Sequence, residues 1–152
     1  MGNEEVSMFQ HILIPTDGSE LSEAAVQKGI QLARSLKAKV TGFHVILPFH
    51  VFTTRTEMLE DTKEQYERES KIQAERFLGL IKKAAEEAGV SCDSEYAISD
   101  HPYEMIIKTA ENKRCDLIVM ASHGRRGVQG VLLGSETQKV LTHSKTPVLV
   151  VR

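Results

Sequence analysis

The sequence lacks the features of several large classes of protein. It has no tryptophan, and its aromatic content of 5% argues against an aromatic platform for stacking nucleic-acid bases. Its net charge of −2 at pH 7 provides no general basic field for nucleic acid or an anionic membrane. No apolar run approaches the roughly 18 residues that a membrane-spanning helix needs. We therefore expect neither nucleic acid nor membrane among its partners.

Cysteine is also scarce. The two cysteines, Cys92 and Cys115, form neither a disulfide framework nor a Cys-x-x-Cys motif. We interpret both as buried structural thiols, kept reduced in a cytoplasmic protein. The acidic and polar start, MGNEEVS, does not have the pattern of a signal peptide, and residues 1–8 are expected to form a loose tail.

Short apolar runs alternate with helical patterns along the chain. The runs predict strands at about 9–15, 40–47, 90–98, 116–121 and 148–151, with helices at about 21–36, 57–88, 102–113 and 136–143. Strands this apolar, separated by helices, predict an α/β fold: a doubly wound, five-stranded parallel sheet, in the order 3-2-1-4-5, with helices on both faces. Without repeats or linkers, residues 1–152 are expected to form a single domain.

Polar residues before three of the helical patterns predict helix caps. Asp17 or Ser19 is expected to cap the first helix, and Asp100 the helix that has proline in its first turn. Ser135, followed three residues later by Gln138, has the capping-box pattern.

The second helical pattern is long, charged and uneven in its apolar content. Gly89 is expected to end it. Its early part, 57–70, has few apolar residues and is expected to be mobile or a separate short helix. Residues 53–70 are a candidate lid over a ligand.

The segment 121–135, ASHGRRGVQGVLLGS, contains the main functional signal. It lies between a buried apolar run and a predicted helix. Glycines let the backbone approach an anion, and the free N–H groups of a helix N-terminus point toward it. The loop has neither the Walker A spacing nor a G-x-G-x-x-G fingerprint. It is a candidate anion-binding loop, and the alternative is a flexible connection with an ordinary cap.

Three segments, in order, resemble the universal stress protein family over nearly the whole chain. The nucleotide-binding branch of that family has G-x-x-G, nine residues, then G-[ST]; this chain has ASHG at 121–124 and Gly134-Ser135 after nine residues. The opening HILIPTDGSELSEAA and the ending VLTHSKTPVLVVR also resemble the family. Ala121 replaces the first signature glycine. This change is nearly neutral if φ is negative there, and weakens binding if the position needs positive φ or close ligand approach.

The resemblance implies a site for ATP, with AMP or another adenine nucleotide as alternatives and Mg²⁺ held largely by phosphate oxygens and water. It implies phosphate contacts from Gly124, Arg125, Gly134 and Ser135, and nucleotide contacts from Met120, Ala121, Pro15, Thr16, Asp17 and Val45, with Val45 reading the adenine edge through its backbone. We add His123 and Glu136, which lie in and just after the loop. Ligands of doubly wound sheets bind where the strand order reverses, at the carboxyl ends of the strands.

The main hypothesis is therefore an ATP-binding regulator of a stress response, with a regulatory protein as a further partner. One alternative is a protein of the same fold that does not bind ATP and acts through protein contacts. The other is a slow ATPase, although no base, arginine finger, nucleophile elbow or zinc spacing is visible in the sequence.

The last strand, Val148–Val151, is expected at an edge of the sheet. An apolar edge strand invites pairing, and antiparallel pairing with a second copy would form a homodimer. The alternative is that a neighbouring helix covers this edge.

Overall fold

The computed structural model describes residues 6–50, 56–124 and 133–152, with only the backbone of residues 56–61. Its strands are β1 (His11–Pro15), β2 (Lys39–Ile46), β3 (Cys92–Ile98), β4 (Leu117–Ala121) and β5 (Val148–Val151). Its helices are α1 (Glu20–Leu36), α2 (Thr56–Glu87), α3 (Pro102–Asn112) and α4 (Ser135–His143). Strands and helices alternate along the chain, as the apolar pattern predicted.

The strands form one parallel sheet in the order β3-β2-β1-β4-β5. The registers around β1 pair Ile12 with Val40 of β2, and Leu13 with Ile118 of β4. From β1 the chain runs outward to β3 and then returns to β4 on the other side, so the strand order reverses between β1 and β4. The predicted doubly wound fold and strand order are confirmed.

Alternate residues of the central strands pack against different pairs of helices. Ile12 and Ile14 share a buried cluster with Ile30 of α1 and Ile81 of α2. Leu13 belongs to a second cluster on the other face, which includes residues of α3 and α4. Because side chains alternate along a strand, this apolar sequence covers both faces and fixes the register.

Of the two residues predicted to cap α1, Ser19 is the N-cap. The side chain of Ser19 accepts a hydrogen bond from the Ser22 N–H at 3.2 Å, which makes Ser19 the N-cap. Asp17 supports the turn from outside the helix, since its Oδ1 accepts hydrogen bonds from the Ser19 N–H and the Ser22 hydroxyl, both at 3.0 Å.

The prediction that Asp100 caps α3 is wrong. The N-cap is His101, whose side chain makes no capping hydrogen bond, while Asp100 accepts a hydrogen bond from His50 Nε2 at 2.6 Å. A residue from another helix replaces the local cap: Glu136 Oε2 accepts the N–H of Tyr103 at 2.8 Å. This contact between α4 and α3 arises only in the folded chain.

The predicted capping box at Ser135 is also wrong. The N-cap is Gly134, and Ser135 is the first helical residue. The Gly134 N–H donates to the Ser122 carbonyl at 2.7 Å, which fixes the glycine at the helix start. Gln138 donates its side-chain amide to the Leu133 carbonyl at 2.9 Å instead of closing a capping box.

α2 is one continuous helix, so the expectation of a separate short helix at 57–70 is wrong. Gly89 lies just beyond its end with φ of 71°, in agreement with the predicted stop. The lid and tail predictions concern 53–70 and 1–8, of which residues 53–55 and 1–5 lie outside the described part.

Over the residues that are described, no helix combines the length and apolar character needed to cross a membrane.

Candidate functional site

A cavity of about 780 Å³ opens at the carboxyl ends of β1, β2 and β4, at the reversal of strand order. Its volume lies in the range of roughly 300–1,000 Å³ that is common for small-molecule sites. All but one of the residues predicted for nucleotide binding line it: Pro15, Thr16, Asp17, Val45, Met120, Ala121, His123, Gly124, Gly134, Ser135 and Glu136. The exception, Arg125, lies outside the described residues.

The start of α4 provides hydrogen-bond donors at one end of the cavity. The N–H groups in the first turn of any helix have no intrahelical acceptor, and the N-cap here, Gly134, has no side chain to supply one. Two of the residues that carry them, Ser135 and Glu136, line the cavity. An uncapped helix N-terminus favours an anion through these donors and the helix dipole.

Two glycines leave room beside these donors. A side chain on Gly124 would overlap Oδ2 of Asp17, so only glycine fits there without a shift of the carboxylate. A Cβ on Gly134 would come no closer than 3.4 Å to its nearest protein atoms, on Ser122 and His123, which is ordinary van der Waals contact. The protein itself therefore does not require glycine at 134.

Ala121 occupies an ordinary strand position. It is the last residue of β4, pairs with Val151, and accepts the Thr137 hydroxyl on its carbonyl at 2.9 Å. The non-glycine residues with positive φ in the described chain are Lys37 and Arg114. Alanine in place of the family's first glycine therefore causes no backbone strain.

His123 has one satisfied and one unsatisfied ring nitrogen. Nδ1 lies 3.0 Å from the hydroxyl oxygen of Ser122. Nε2 is buried and has no hydrogen-bond partner among the described residues. Buried polar atoms are nearly always paired in folded proteins, and this one lies on a residue that lines the cavity.

The turn after β1 forms the middle of the cavity floor. The Thr16 N–H donates to the Phe43 carbonyl at 2.8 Å, and the Thr16 hydroxyl accepts the Gly18 N–H at 3.1 Å. The Thr16 carbonyl accepts a hydrogen bond from His44 Nδ1 at 2.8 Å. These bonds hold Thr16 and Asp17 in a fixed turn between β1 and β2.

One face of α2 forms a wall of the cavity. Tyr66 and Ser70 lie within the candidate lid at 53–70, but Gln73 and Phe77 were not assigned to the site from the sequence. The members of this wall follow helical spacing and line the cavity: Tyr66, Ser70, Gln73 and Phe77. Tyr66 donates its hydroxyl to the Leu47 carbonyl at 2.6 Å, and Phe77 packs edge-on against His44 with ring centroids 5.3 Å apart. The spacing was visible in the sequence, but it does not distinguish a face that lines a cavity from one that packs in a core.

The charged side chains that line the cavity among the described residues are acidic: Asp17, Asp100 and Glu136. Glu136 also has structural partners, because it accepts the Tyr103 N–H and lies 3.5 Å from the Lys139 ammonium. Within the described ranges, no group of three or more His, Cys, Asp or Glu side chains is arranged to hold a metal ion. The uncapped helix start fits a phosphate, whereas a divalent ion would take its ligands mainly from that phosphate and water.

Comparison with known proteins identifies the family. The family model described as "Universal stress protein family" matches residues 8–152. Universal stress protein MJ0531 of Methanocaldococcus jannaschii is 34% identical over 96% of this chain and 84% of its own length. Universal stress protein MJ0577 of the same organism is 34% identical over 95% of this chain and 96% of its own length.

Solved structures agree in fold. The structure of MJ0577 superposes with a TM-score of 0.76 at 31% identity and covers 95% of this chain and 96% of its own. A universal stress protein in complex with cAMP has a TM-score of 0.63 at 25% identity, with 95% and 97% covered. A protein from Archaeoglobus fulgidus in complex with dAMP, at 17% identity and a TM-score of 0.64 with 95% and 99% covered, supports the fold alone. By its sequence, its sheet order and these relatives, the chain belongs to the universal stress protein family.

Proposed function

We propose that this chain binds ATP in the cavity between β1 and β4 and acts as a nucleotide-dependent regulator in a stress response. The observation that carries the proposal is the uncapped start of α4 at Gly134, which faces the cavity beside Gly124. Its N–H donors match phosphate oxygens, and the glycines admit a ligand close to the backbone. The buried, unpaired Nε2 of His123 supports an additional polar group at this end.

The acidic side chains of the cavity favour a nucleotide that arrives with a divalent cation. Asp17, Asp100 and Glu136 line the cavity, with His50 beside Asp100 and Lys139 beside Glu136, and a triphosphate brings further negative charge. Mg²⁺ coordinated by phosphate oxygens and water would offset this repulsion without a protein cage. We expect Mg-ATP to bind more tightly than ATP in the presence of EDTA. The related protein in complex with cAMP makes AMP and cyclic AMP the alternative ligands to compare.

Titration calorimetry with Mg-ATP tests the proposal, after bound nucleotide has been removed from the purified protein. We expect saturable binding near one nucleotide per chain. Gly134→Asp should abolish it, because a carboxylate would lie at the helix N-terminus where the phosphate binds. Gly134→Ala should weaken it while the fold is retained, since the protein has room for this methyl group.

Gly79→Ala is the matched control. Gly79 lies on an exposed face of α2, and a Cβ there would meet no atom within 4 Å. This variant should bind Mg-ATP as the parent does. If the folded, nucleotide-free parent shows no binding, the proposal is wrong, and a protein of the same fold that acts through protein contacts becomes the better hypothesis.

The regulatory role requires a surface that responds to the ligand, and we propose a homodimer through β5 as its framework. β5 lies at one edge of the sheet, and Leu149 on it is 43% exposed. Ser122, at the start of the glycine loop, donates its N–H to the Val151 carbonyl at 2.8 Å and accepts the Gly134 N–H on its own carbonyl. Backbone hydrogen bonds of Ser122 therefore connect the edge strand β5 to Gly134 at the proposed phosphate end of the cavity.

A further inference from the structure

The hydrogen bond between His44 and Thr16 fixes which nitrogen of the imidazole carries the proton. His44 Nδ1 lies 2.8 Å from the Thr16 carbonyl oxygen. A carbonyl oxygen can only accept, so Nδ1 must be the donor. In the neutral ring the other nitrogen, Nε2, then has a free lone pair and is a hydrogen-bond acceptor.

The surroundings of His44 hold its ring in one orientation beside the cavity. The ring is half-buried and lines the cavity, and Phe77 packs against it at an interplanar angle of 73°. Contacts to Thr16 on one side and Phe77 on the other limit rotation of the ring. Among the described residues, the hydrogen bond of His44 is the one through Nδ1, and Nε2 is not among the buried atoms that lack a partner, so it is accessible. The protein thus presents an oriented acceptor that a bound molecule can use.

The position of His44 in the sheet indicates which part of a nucleotide it would meet. The phosphate donors belong to α4, after β4, whereas His44 lies on β2. β1 separates these two strands, so they are about 10 Å apart at the usual spacing of strands. A nucleotide with its phosphates at α4 therefore has its sugar and base beside β1 and β2.

On this basis, and resting on the proposed nucleotide binding, we propose that His44 is a specificity-determining residue that accepts a hydrogen bond through Nε2 from the nucleoside part of the ligand. Its partner is a neutral donor, which in an adenine nucleotide is a ribose hydroxyl or the 6-amino group of the base. His44 selects ligands that carry this donor over analogues that lack it. Its contribution is separate from that of the phosphate donors.

Two substitutions test the roles of the two ring nitrogens of His44 separately. In His44→Asn the side-chain amide replaces Nδ1 and keeps a donor for the Thr16 carbonyl, but nothing replaces Nε2. In His44→Gln the longer amide places an oxygen near the position of Nε2. His101→Asn is the control, because His101 is exposed and does not line the cavity.

The experiment measures the dissociation constants of Mg-ATP and three analogues with each variant. The analogues are 2′-deoxy-ATP, 3′-deoxy-ATP and purine riboside triphosphate, which lacks the 6-amino group. For the parent, we expect one analogue to bind about fivefold more weakly than ATP, the effect of one lost neutral hydrogen bond. That ratio should fall to about one in His44→Asn, return in part in His44→Gln, and stay unchanged in His101→Asn.

The analogue that shows this pattern identifies the donor. If His44→Asn retains the parent's ratios for all three analogues, another residue reads these groups and the inference is wrong while nucleotide binding stands. If the parent binds every analogue as it binds ATP, His44 selects nothing and the inference is equally wrong. Absence of binding to any of the four nucleotides by the parent overturns both proposals.

Discussion

The ring of Phe77 on α2 packs directly against Gly18 in the turn between β1 and α1. A Cβ on Gly18 would overlap three atoms of the ring, and the glycine has φ of 80°. This contact holds α2 against the turn that carries Thr16 and Asp17. The close approach of Phe77 to Gly18 therefore positions the α2 wall of the cavity relative to the turn at its floor, and only glycine permits this approach.

Replacement of Gly18 by alanine should destabilise the fold more than the same change at Gly89. Gly89→Ala creates strain from positive φ alone, since nothing lies within 4 Å of the new methyl group, and we expect a loss of about 1–2 kcal/mol. Gly18→Ala adds the overlap with Phe77, which brings a further loss of about 1–3 kcal/mol. Urea unfolding of the nucleotide-free proteins measures both, and equal losses would contradict the packing argument.

The stability of the fold should decrease as the pH falls below about 6.5, in part because of His11. Burial lowers the pKa of His11, and the positive charge of Lys39 lowers it further, against the opposing effects of a backbone hydrogen bond at Lys113 and the charges of Asp116 and Asp93. The unfolded chain then binds a proton at a higher pH than the folded chain. Lowering the pH through the pKa that His11 has in the unfolded chain therefore favours unfolding. The stability that neutral His11 contributes is fully present only above that pKa.

The variant His11→Gln isolates this contribution. Glutamine retains a hydrogen-bonding group for the Thr41 hydroxyl, which lies 2.7 Å from His11 Nε2, but it does not titrate. We expect the dependence of the unfolding free energy on pH between 5 and 7.5 to be flatter in the variant, by at most about 1.4 kcal/mol per pH unit for one proton. Chemical unfolding at several pH values measures it, and identical slopes would exclude His11 as a source.

The sequence predicted the fold well because its apolar pattern matches the local period of each strand and helix. Ile12 and Leu13 lie in buried clusters on opposite faces of the sheet, which is what continuous apolar runs require in a parallel sheet. The caps at Asp100 and Ser135 were predicted wrongly because tertiary contacts competed with local ones. Glu136 supplies the acceptor at α3, and that contact has no local signal in the sequence.

The candidate site was predictable in part for the same reason. The glycine loop and the ends of β1 and β4 carry local signals, and the sheet order brings the strand ends and the described residues of the loop to one cavity. The part of the α2 wall at Gln73 and Phe77 was missed because their spacing is that of any helix face, whereas Tyr66 and Ser70 fall within the predicted lid. The orientation of His44 was beyond the sequence, since it depends on the Thr16 carbonyl of a neighbouring strand end.

Cys115 should resist thiol reagents until the protein unfolds. Burial raises its pKa to about 12, with a further increase from the negative charge of Asp116. The reactive thiolate is then scarce at pH 8, and the residue is only 7% exposed. In Cys92→Ser, which leaves a single thiol, we expect reaction with Ellman's reagent to follow the rate of unfolding, and rapid labelling of the folded protein would contradict this.

Cys92 should react sooner than Cys115 but still slowly. It is half-buried, burial raises its pKa, and its thiol donates to the Asp93 carbonyl at 3.2 Å. The matching variant, Cys115→Ser, reports its rate alone. A rate near that of a free thiol would show that Cys92 is more accessible than the structure indicates.

The proposed dimer through β5 makes a distinct prediction for Val150. The carbonyl of Pro147 accepts the N–H of Ile118 on β4 at 2.9 Å, and that of Val151 accepts the N–H of Ser122, just after β4, at 2.8 Å. In a parallel strand the groups that face one neighbour alternate, so the backbone N–H of Val150 points away from β4. It is available to a second copy of the chain, and its loss removes no bond of the sheet within one chain.

Val150→Pro should therefore convert the dimer to a monomer while the secondary structure remains intact. Proline removes the outward N–H, and edge strands tolerate it at such a position. Val150→Thr keeps the N–H and serves as the control. Light scattering coupled to size-exclusion chromatography measures the mass of each protein, and circular dichroism checks the fold. If Val150→Pro has the mass of the parent dimer, the copies associate through another surface, whereas a monomeric parent removes the basis for the dimer altogether.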